Sequence, residues 1–352
     1  MHIVYNSFMG RFSDSPRALY EALADRPGTS HTWLLDPAHA AGFPDDVDTA
    51  SLTGPEARRA LESADLVVAG THTELEWTKR PGSRYLQTWH GTPLKRIHYD
   101  VLLVPPGRLD WLDLDIARWD MLLSPNRDST PRLRKAFGFK GPVWETGYPR
   151  NDLLLSPDAD RVREQVRDSL GIGDDVRTVL YAPTFRDDEW ASDSSDVPMA
   201  LDLVQLVKDL DTSGVEHRLL VRRHNMMTER SHPHLSAGVT DVSWFPDVRH
   251  LHLAADVLVT DYSSLMFDWV LTGKPIVYYD YDLDRFRGEI RGFYFDLLPE
   301  APGPVTTTPD ELARAVLDPG DHSAAYQAFR DRYGHLEDGH ATERVIDLLE
   351  LP

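Results

Sequence analysis

Asp256-Val257-Leu258-Val259-Thr260-Asp261-Tyr262-Ser263-Ser264-Leu265-Met266-Phe267-Asp268-Trp269 is the stretch that decides the fold class. Four apolar or β-branched residues run into a polar turn, and the turn opens a segment with helical spacing. A short buried strand followed at once by a helix is the repeating unit of a parallel sheet covered by helices. The same alternation recurs along the chain. Ile3–Tyr5, Trp33–Leu35, Leu66–Ala69, Tyr85–Trp89, Met121–Leu123 and Val143–Glu145 read as strands of a first half. Val179–Ala182, Arg218–Val221, Val257–Thr260 and Ile276–Tyr279 read as strands of a second. Amphipathic helices are predicted at Pro16–Ala24, Pro55–Ser63, Pro131–Phe137, Leu201–Leu210, His250–Ala254 and Ser264–Leu271, with another starting near Ala159.

The fold class is therefore α/β, with two doubly wound parallel-sheet domains facing a cleft. Tyr148-Pro149-Arg150-Asn151-Asp152 is the expected break, because a strand ends there in turn-forming residues. It divides the chain into 1–150 and 151–352, with the last helix free to pack back on the first domain. Asp187–Asp196, acidic and serine-containing, reads as an exposed loop.

Composition narrows the function. The 352 residues suffice for two cores, and no cysteine is present, which removes disulfides, thiolate metal sites and cysteine nucleophiles. The 37 basic and 57 acidic residues leave a net charge of −20, which disfavours nucleic acid as a partner and opposes anionic lipid. An anionic substrate then needs a local basic island. Met1–Ser7 carries neither a basic leader nor a signal-length apolar run, and no window reaches the roughly 20 apolar residues of a membrane helix. The expected location is cytoplasmic.

Ligands of open parallel sheets sit at the carboxyl ends of the strands. In the opening stretch, Asp261, Ser263 and Ser264 occupy that place, and a helix start there offers backbone N–H groups and hydroxyls to an anion. Taken alone, the pattern is met as well by an ordinary serine cap, the commoner use of it. In Gln87-Thr88-Trp89-His90-Gly91-Thr92-Pro93-Leu94-Lys95-Arg96, His90 follows a strand as a proton acceptor suited to neutral pH, with Thr92 and Lys95 as donors. The competing role for His90 is a bond to the turn backbone. Leu220-Val221-Arg222-Arg223-His224-Asn225 repeats the arrangement, with two arginines beside a histidine; a surface ion-pair cluster is the alternative. Thr184 and Arg186 follow the strand ending at Ala182, and Arg287 and Arg291 follow Ile276–Tyr279. Hydroxyl, histidine and arginine groups thus recur after strands of both halves, converging on one interdomain cleft. No Gly-x-Gly-x-x-Gly or Gly-x-x-x-x-Gly-Lys-[Ser/Thr] string and no His-Glu-x-x-His spacing occurs, so neither a cofactor nor a metal is expected, and activity should survive chelation.

Four strings carry a resemblance: Trp89-His90-Gly91-Thr92-Pro93-Leu94-Lys95, Tyr181-Ala182-Pro183-Thr184-Phe185-Arg186-Asp187, Thr260-Asp261-Tyr262-Ser263-Ser264 with Phe267-Asp268, and Arg291-Gly292-Phe293-Tyr294-Phe295-Asp296. Ser13–Leu19 and Gly147–Asp152 add weaker ones. In that order the chain resembles the CDP-glycerol glycerophosphotransferase family, which includes teichoic acid primases and polymerases. The resemblance implies a glycosyltransferase-B-like architecture, an acceptor-side first domain and a CDP-donor-binding second domain. It also implies His90 and His224 as catalytic, and Ser263 and Ser264 as donor-phosphate ligands. Thr92, Lys95, Thr184, Arg186, Arg222, Arg223, Asp261, Arg287 and Arg291 complete the expected substrate site. The expected reaction moves a polyol phosphate, glycerol phosphate foremost, from a CDP-activated donor to a lipid-linked or soluble hydroxyl acceptor, releasing CMP.

A nucleotide-sugar glycosyltransferase of the same fold and a non-catalytic nucleotide- or polymer-binding protein are the rival readings. Histidines placed as proton acceptors count against the last. Membrane contact should be weak and peripheral on the inner face at most. Arg132-Leu133-Arg134-Lys135 with Phe137 and Phe139, and Trp111 with Leu102, Leu103 and Val104, are the candidate patches.

Overall fold

The structure, a computed structural model, describes residues 1–102, 107–184, 201–223, 234–236, 238–290 and 292–351. Two seven-stranded sheets form it. The first contains β1 (His2–Asn6), β2 (Ser30–Leu35), β3 (Thr49–Ser51), β4 (Leu66–Ala69), β5 (Arg84–Gln87), β6 (Met121–Ser124) and β7 (Val143–Glu145) in the order β3-β2-β1-β4-β5-β6-β7. All of its pairings are parallel. The second contains β8 (Arg177–Ala182), β9 (His217–Val221), β10 (His234–Ser236), β11 (Val239–Asp241), β12 (Val257–Thr260), β13 (Ile276–Tyr279) and β14 (Val305–Thr306) in the order β10-β11-β9-β8-β12-β13-β14. Only the edge strand β10 runs antiparallel, against β11.

The central strands are apolar because helices cover both faces. Every residue of β4 and β12 is buried. Leu180, Leu220 and Leu258 pack on one face of the second sheet, while Val179, Val221, Val257 and Val259 pack on the other. The predicted strands are recovered with small boundary shifts, and the predicted helices start within two residues of their expected places. The strand predicted to reach Trp89 stops at Gln87, because Trp89 takes a left-handed conformation (φ 53°) and the Gln87 side chain captures its N–H. The helix expected over Ser264–Leu271 is α-helical from Leu265 to Trp269 and tightens to a 3-10 turn over Val270–Thr272.

In each sheet the strand order reverses once, between β1 and β4 and between β8 and β12. Those reversals open the crevices in which doubly wound sheets hold ligands. The loops leaving the two strand pairs face each other. After Tyr148 the chain makes a 3-10 turn, Pro149–Leu155, between the two sheets. The final helix, Ala341–Leu349, returns to the first sheet: Val345 and Leu349 join Ile3, Tyr5, Leu19 and Leu23 in one apolar cluster.

One candidate membrane patch has no apolar surface, although its Lys135 is exposed. Leu133, Phe137 and Phe139 are core residues, and Arg132 lies over the ring of Phe295. In the other, Leu102 and Trp111 are exposed, whereas Leu103 and Val104 lie outside the described residues. Among the described residues no helix is long and apolar enough to cross a membrane. The expected acidic loop Asp187–Asp196 lies outside the described residues.

Candidate active site

The turn after β5 is built to present His90. Gln87 Oε1 accepts the Trp89 N–H at 2.8 Å, and the left-handed Trp89 swings the chain out of the sheet. His90 Nδ1 then lies 2.7 Å from the carbonyl oxygen of Gly70, just beyond β4. A carbonyl only accepts, so Nδ1 carries the proton and Nε2 is left as the acceptor. The ring packs on Trp89 at 4.0 Å and edge-on to Phe8 at 5.1 Å. Burial lowers its pKa to about 4, outweighing the Gly70 bond and the charge of Asp14, so the imidazole is neutral at pH 7.

The facing wall comes from the second sheet. Asp261, 2% exposed, accepts the backbone N–H groups of Thr184 (2.9 and 3.1 Å) and Tyr262 (2.6 Å), locking the end of β8 to the end of β12. Ser263 Oγ is 3.4 Å from the Leu265 nitrogen. Ser264 stands at the N-cap position, but its hydroxyl makes no capping bond. Arg222 and Arg223 leave β9. The Arg222 guanidinium donates to the carbonyls of Phe245 (2.9 Å) and Val242 (3.3 Å), and burial, with the nearby charge of Arg11, lowers its pKa to about 10. The Arg223 guanidinium lies 3.8 Å from Asp241.

One cavity of about 130 Å³ lies between the sheets. His90, Ser263, Ser264, Arg222 and Arg223 are all on its wall, as the sequence reading requires of residues that act together. The cavity also holds side chains that reading did not select: Phe8, Arg11, Asp14, Arg150, Asp247 and Asp268. Arg150, 3% exposed, bridges Asp14 of the first half (3.1 Å) and Asp268 of the second (2.9 Å). Burial opposes its charge, but the two carboxylates outweigh that cost and hold it protonated. Asn151 links Asp268 to Glu337, both at 3.1 Å, and Glu337 also accepts the Tyr148 N–H at 3.1 Å. Burial raises the Glu337 pKa to about 8, leaving it neutral at pH 7. Asp14, Arg150 and Asp268 fell within the strings quoted above, and that was the available signal. Arg11 lay outside all of them.

Other expected site residues sit elsewhere. Thr92 and Thr184 are buried, and neither they, Lys95 nor Asp261 are among the cavity-lining residues. Lys95 instead pairs with Phe293 in an isolated antiparallel bridge joining the two halves. Arg287 is exposed, 3.7 Å from Asp296 and 3.8 Å from Asp284. His224, Arg186 and Arg291 lie outside the described residues. Among the described residues no cluster of three or more His, Asp or Glu is placed to hold a metal ion.

Known proteins are similar to this chain in sequence and fold. Residues 1–351 match the family model described as CDP-Glycerol:Poly(glycerophosphate) glycerophosphotransferase. A teichoic acid glycerol-phosphate transferase of Staphylococcus aureus is 35% identical over 362 residues, covering 99% of this chain and 92% of that protein. A teichoic acid poly(glycerol phosphate) polymerase of Staphylococcus epidermidis is 33% identical over 365 residues, covering 99% of this chain but 50% of its own length. The chain thus spans about half of that polymerase. A solved structure of the wall teichoic acid polymerase TagF, a variant soaked with CDPG, superposes with a TM-score of 0.86 at 32% identity, covering 99% of this chain and 88% of that one.

Proposed function

The chain belongs to the CDP-glycerol:poly(glycerophosphate) glycerophosphotransferase family, and from that premise we propose that it transfers glycerol phosphate from CDP-glycerol to an acceptor hydroxyl, releasing CMP. One observation carries the reading. A neutral histidine, fixed by its Nδ1–H in the tautomer that leaves Nε2 basic, faces two serine hydroxyls and two arginines across a single cavity.

In this reading the acceptor oxygen attacks the β-phosphorus of CDP-glycerol. A new P–O bond forms as the bond between that phosphorus and the bridging oxygen breaks. The proton of the hydroxyl passes to His90 Nε2, and the electron pair leaves with CMP. Ser263 and Ser264 donate to the donor phosphates, and Arg222 and Arg223 offset the charge that builds on phosphoryl and leaving-group oxygens. Catalysis is then positioning plus electrostatic stabilisation, as expected of phosphoryl transfer. His224 is proposed as a second catalytic group on the strength of the family resemblance alone. Arg186 and Arg291 are further proposed donor ligands on the same footing. Thr92, Lys95, Thr184, Asp261 and Arg287 are proposed as substrate-site residues that shape the loops around the donor. The acceptor is proposed to be a glycerol-phosphate polymer or its primer, met at the cytoplasmic side with weak membrane contact. Residues 1–150 would serve the acceptor and 151–352 the donor.

The neutral His90 favours this reading over a binding protein, which has no use for a proton acceptor held in one tautomer. The test is direct: incubate the purified chain with CDP-glycerol and a glycerol-phosphate primer, and follow CMP release and primer growth. CMP release coupled to primer growth supports it; UDP-sugar consumption instead would favour the glycosyltransferase reading.

A further inference from the structure

Four arginines line the cavity, and their charges are balanced differently. Arg150 is held between Asp14 and Asp268, and Arg223 has Asp241. Arg11 and Arg222 have, among the described residues, no carboxylate within 4 Å. Arg11 is only 3% exposed. Among the described residues its side chain makes one bond, from Nη1 to the carbonyl oxygen of Ser243, 3.3 Å away and 232 residues along the chain, and its Nε has no acceptor. Among the described residues the Arg222 guanidinium donates, through Nη1, to backbone carbonyls, and Asp247 and Asp241 act on it only from beyond ion-pair distance. The remaining cavity carboxylate, Asp247, is engaged by Arg249 at 2.7 Å and Arg17 at 3.8 Å.

Burying a cation without a counter-charge is costly, and facing it with a second cation adds to the cost. Burial lowers the Arg11 pKa, and at Arg222 the charge of Arg11 adds to burial, with Asp247 and Asp241 giving back only part of the loss. The loop that carries Arg11 is also constrained. Phe8, Met9 and Gly10 have φ of 24°, 55° and 77°, and a Cβ on Gly10 would strike the backbone of Asp36. This arrangement holds two fork-shaped donors, one from each half, against one space. An oxyanion with several acceptor oxygens relieves both costs at once, and guanidinium forks suit phosphate.

We infer that Arg11 and Arg222 form a phosphate-binding pair across the cleft, with Arg11 a substrate ligand contributed by the first half. The inference rests on the proposed reaction for the identity of the substrates, because both would bring phosphate: the donor its diphosphate, and a glycerol-phosphate acceptor its terminal phosphodiester.

The test compares wild type with Arg11→Gln and Arg11→Lys in three titrations. In the first, inorganic phosphate is titrated by calorimetry, and the unfolding temperature is read with and without it. The expected result is phosphate binding weakened about ten- to hundredfold in R11Q, the range of a lost charged hydrogen bond, with a ligand-free unfolding temperature no lower than wild type. R11K, which keeps the charge but loses the fork, should fall between the two, and it serves as the readout if R11Q does not fold. In the second and third, the Kd of CDP-glycerol and the KM of a phosphate-bearing acceptor, set against glycerol itself, separate the sources. A weakened donor assigns the pair to the diphosphate; an unchanged donor with a raised KM for the charged acceptor alone assigns it to the phosphodiester. Wild-type phosphate affinity in R11Q overturns the inference. So does lost affinity accompanied by a lower ligand-free unfolding temperature, which marks Arg11 as a structural tie. Should wild type fail to use CDP-glycerol, the reaction falls, while the phosphate titration still decides Arg11.

Discussion

Gly91 abuts Ser264: a Cβ built on Gly91 would stand 2.7 Å from the Ser264 Oγ and 3.0 Å from its Cβ. The loop that presents His90 therefore touches the loop that presents the two serines, although they arise from different sheets and are 173 residues apart in sequence. Glycine is needed here for close approach. Gly91→Ala should displace either His90 or Ser264 by a few tenths of an ångström or more. We expect kcat/KM to fall at least about tenfold, since overpacking costs roughly 1–3 kcal/mol, while the far-ultraviolet dichroism stays native. Steady-state kinetics checks it; an unchanged kcat/KM would mean that the two loops need not meet for turnover.

Ser264 occupies a cap position without capping. Its hydroxyl is thus available to a ligand, and Ser264→Ala should weaken CDP-glycerol binding by roughly 1.5–3 kcal/mol, the worth of a hydrogen bond to a charged group. Thermal stability should stay within about 0.5 kcal/mol of wild type, as for a surface change that breaks no structural bond. Calorimetry and differential scanning on one preparation separate the two effects. A drop in stability with intact affinity would return Ser264 to the role of an ordinary cap.

Arg150 holds Asp14 and Asp268 together across the two halves. Arg150→Gln leaves two buried carboxylates facing each other, and a broken buried pair costs about 3–5 kcal/mol. Urea denaturation should show a loss of that order. The triple replacement Asp14→Asn, Arg150→Met and Asp268→Asn should recover part of it by removing the stranded charges. Equal losses in single and triple variants would show that shape, not charge, is what Arg150 supplies.

Glu337 gives a pH signature. Its folded pKa is raised to about 8, from an ordinary value of 4.5, chiefly by burial. The folded form retains its proton while the unfolded chain loses it, so this group stabilises the fold fully below pH 4.5 and loses that contribution as pH rises toward 8. Glu337→Gln keeps the acceptor for Tyr148 and Asn151 but cannot ionise. The unfolding temperature of the variant, measured against wild type, should therefore rise from pH 5 to pH 8. A difference that does not change with pH would place Glu337 in the ionised state throughout.

The sequence was readable wherever one local pattern decides the outcome. Val257–Thr260 is an apolar run and Asp261–Ser264 a polar turn, and together they announce a buried strand and a site at its end. The shortest strands at and beside the sheet edges escaped: Thr49–Ser51, His234–Ser236, Val239–Asp241 and Val305–Thr306 are too short to show a period. Strand order escaped too, because Ile3 pairs with both His31 and Leu66, and nothing local to Ile3 says so. His90 and Ser264 were legible because each follows its own strand directly. Arg11 was not, since what makes it unusual is the lack of a counter-charge, a property of its surroundings. Asp14, Arg150 and Asp268 meet over separations of 118 and 136 residues, so their shared charge balance appears only in three dimensions. Asp261 was selected for its place at a strand end; its carboxylate ties the backbones of Thr184 and Tyr262.

In the proposed reaction His90 takes the proton of the attacking hydroxyl while the rest of the cavity holds the donor. The most direct measurement pairs single-turnover CMP release with the Kd of CDP-glycerol, in wild type and His90→Ala, at pH 7. The variant is expected to bind the donor within a few-fold of wild type yet release CMP about 10²–10⁴ times more slowly, the usual contribution of a general base. A variant that keeps a near-wild-type rate, or one whose rate loss is matched by lost donor affinity, would contradict it.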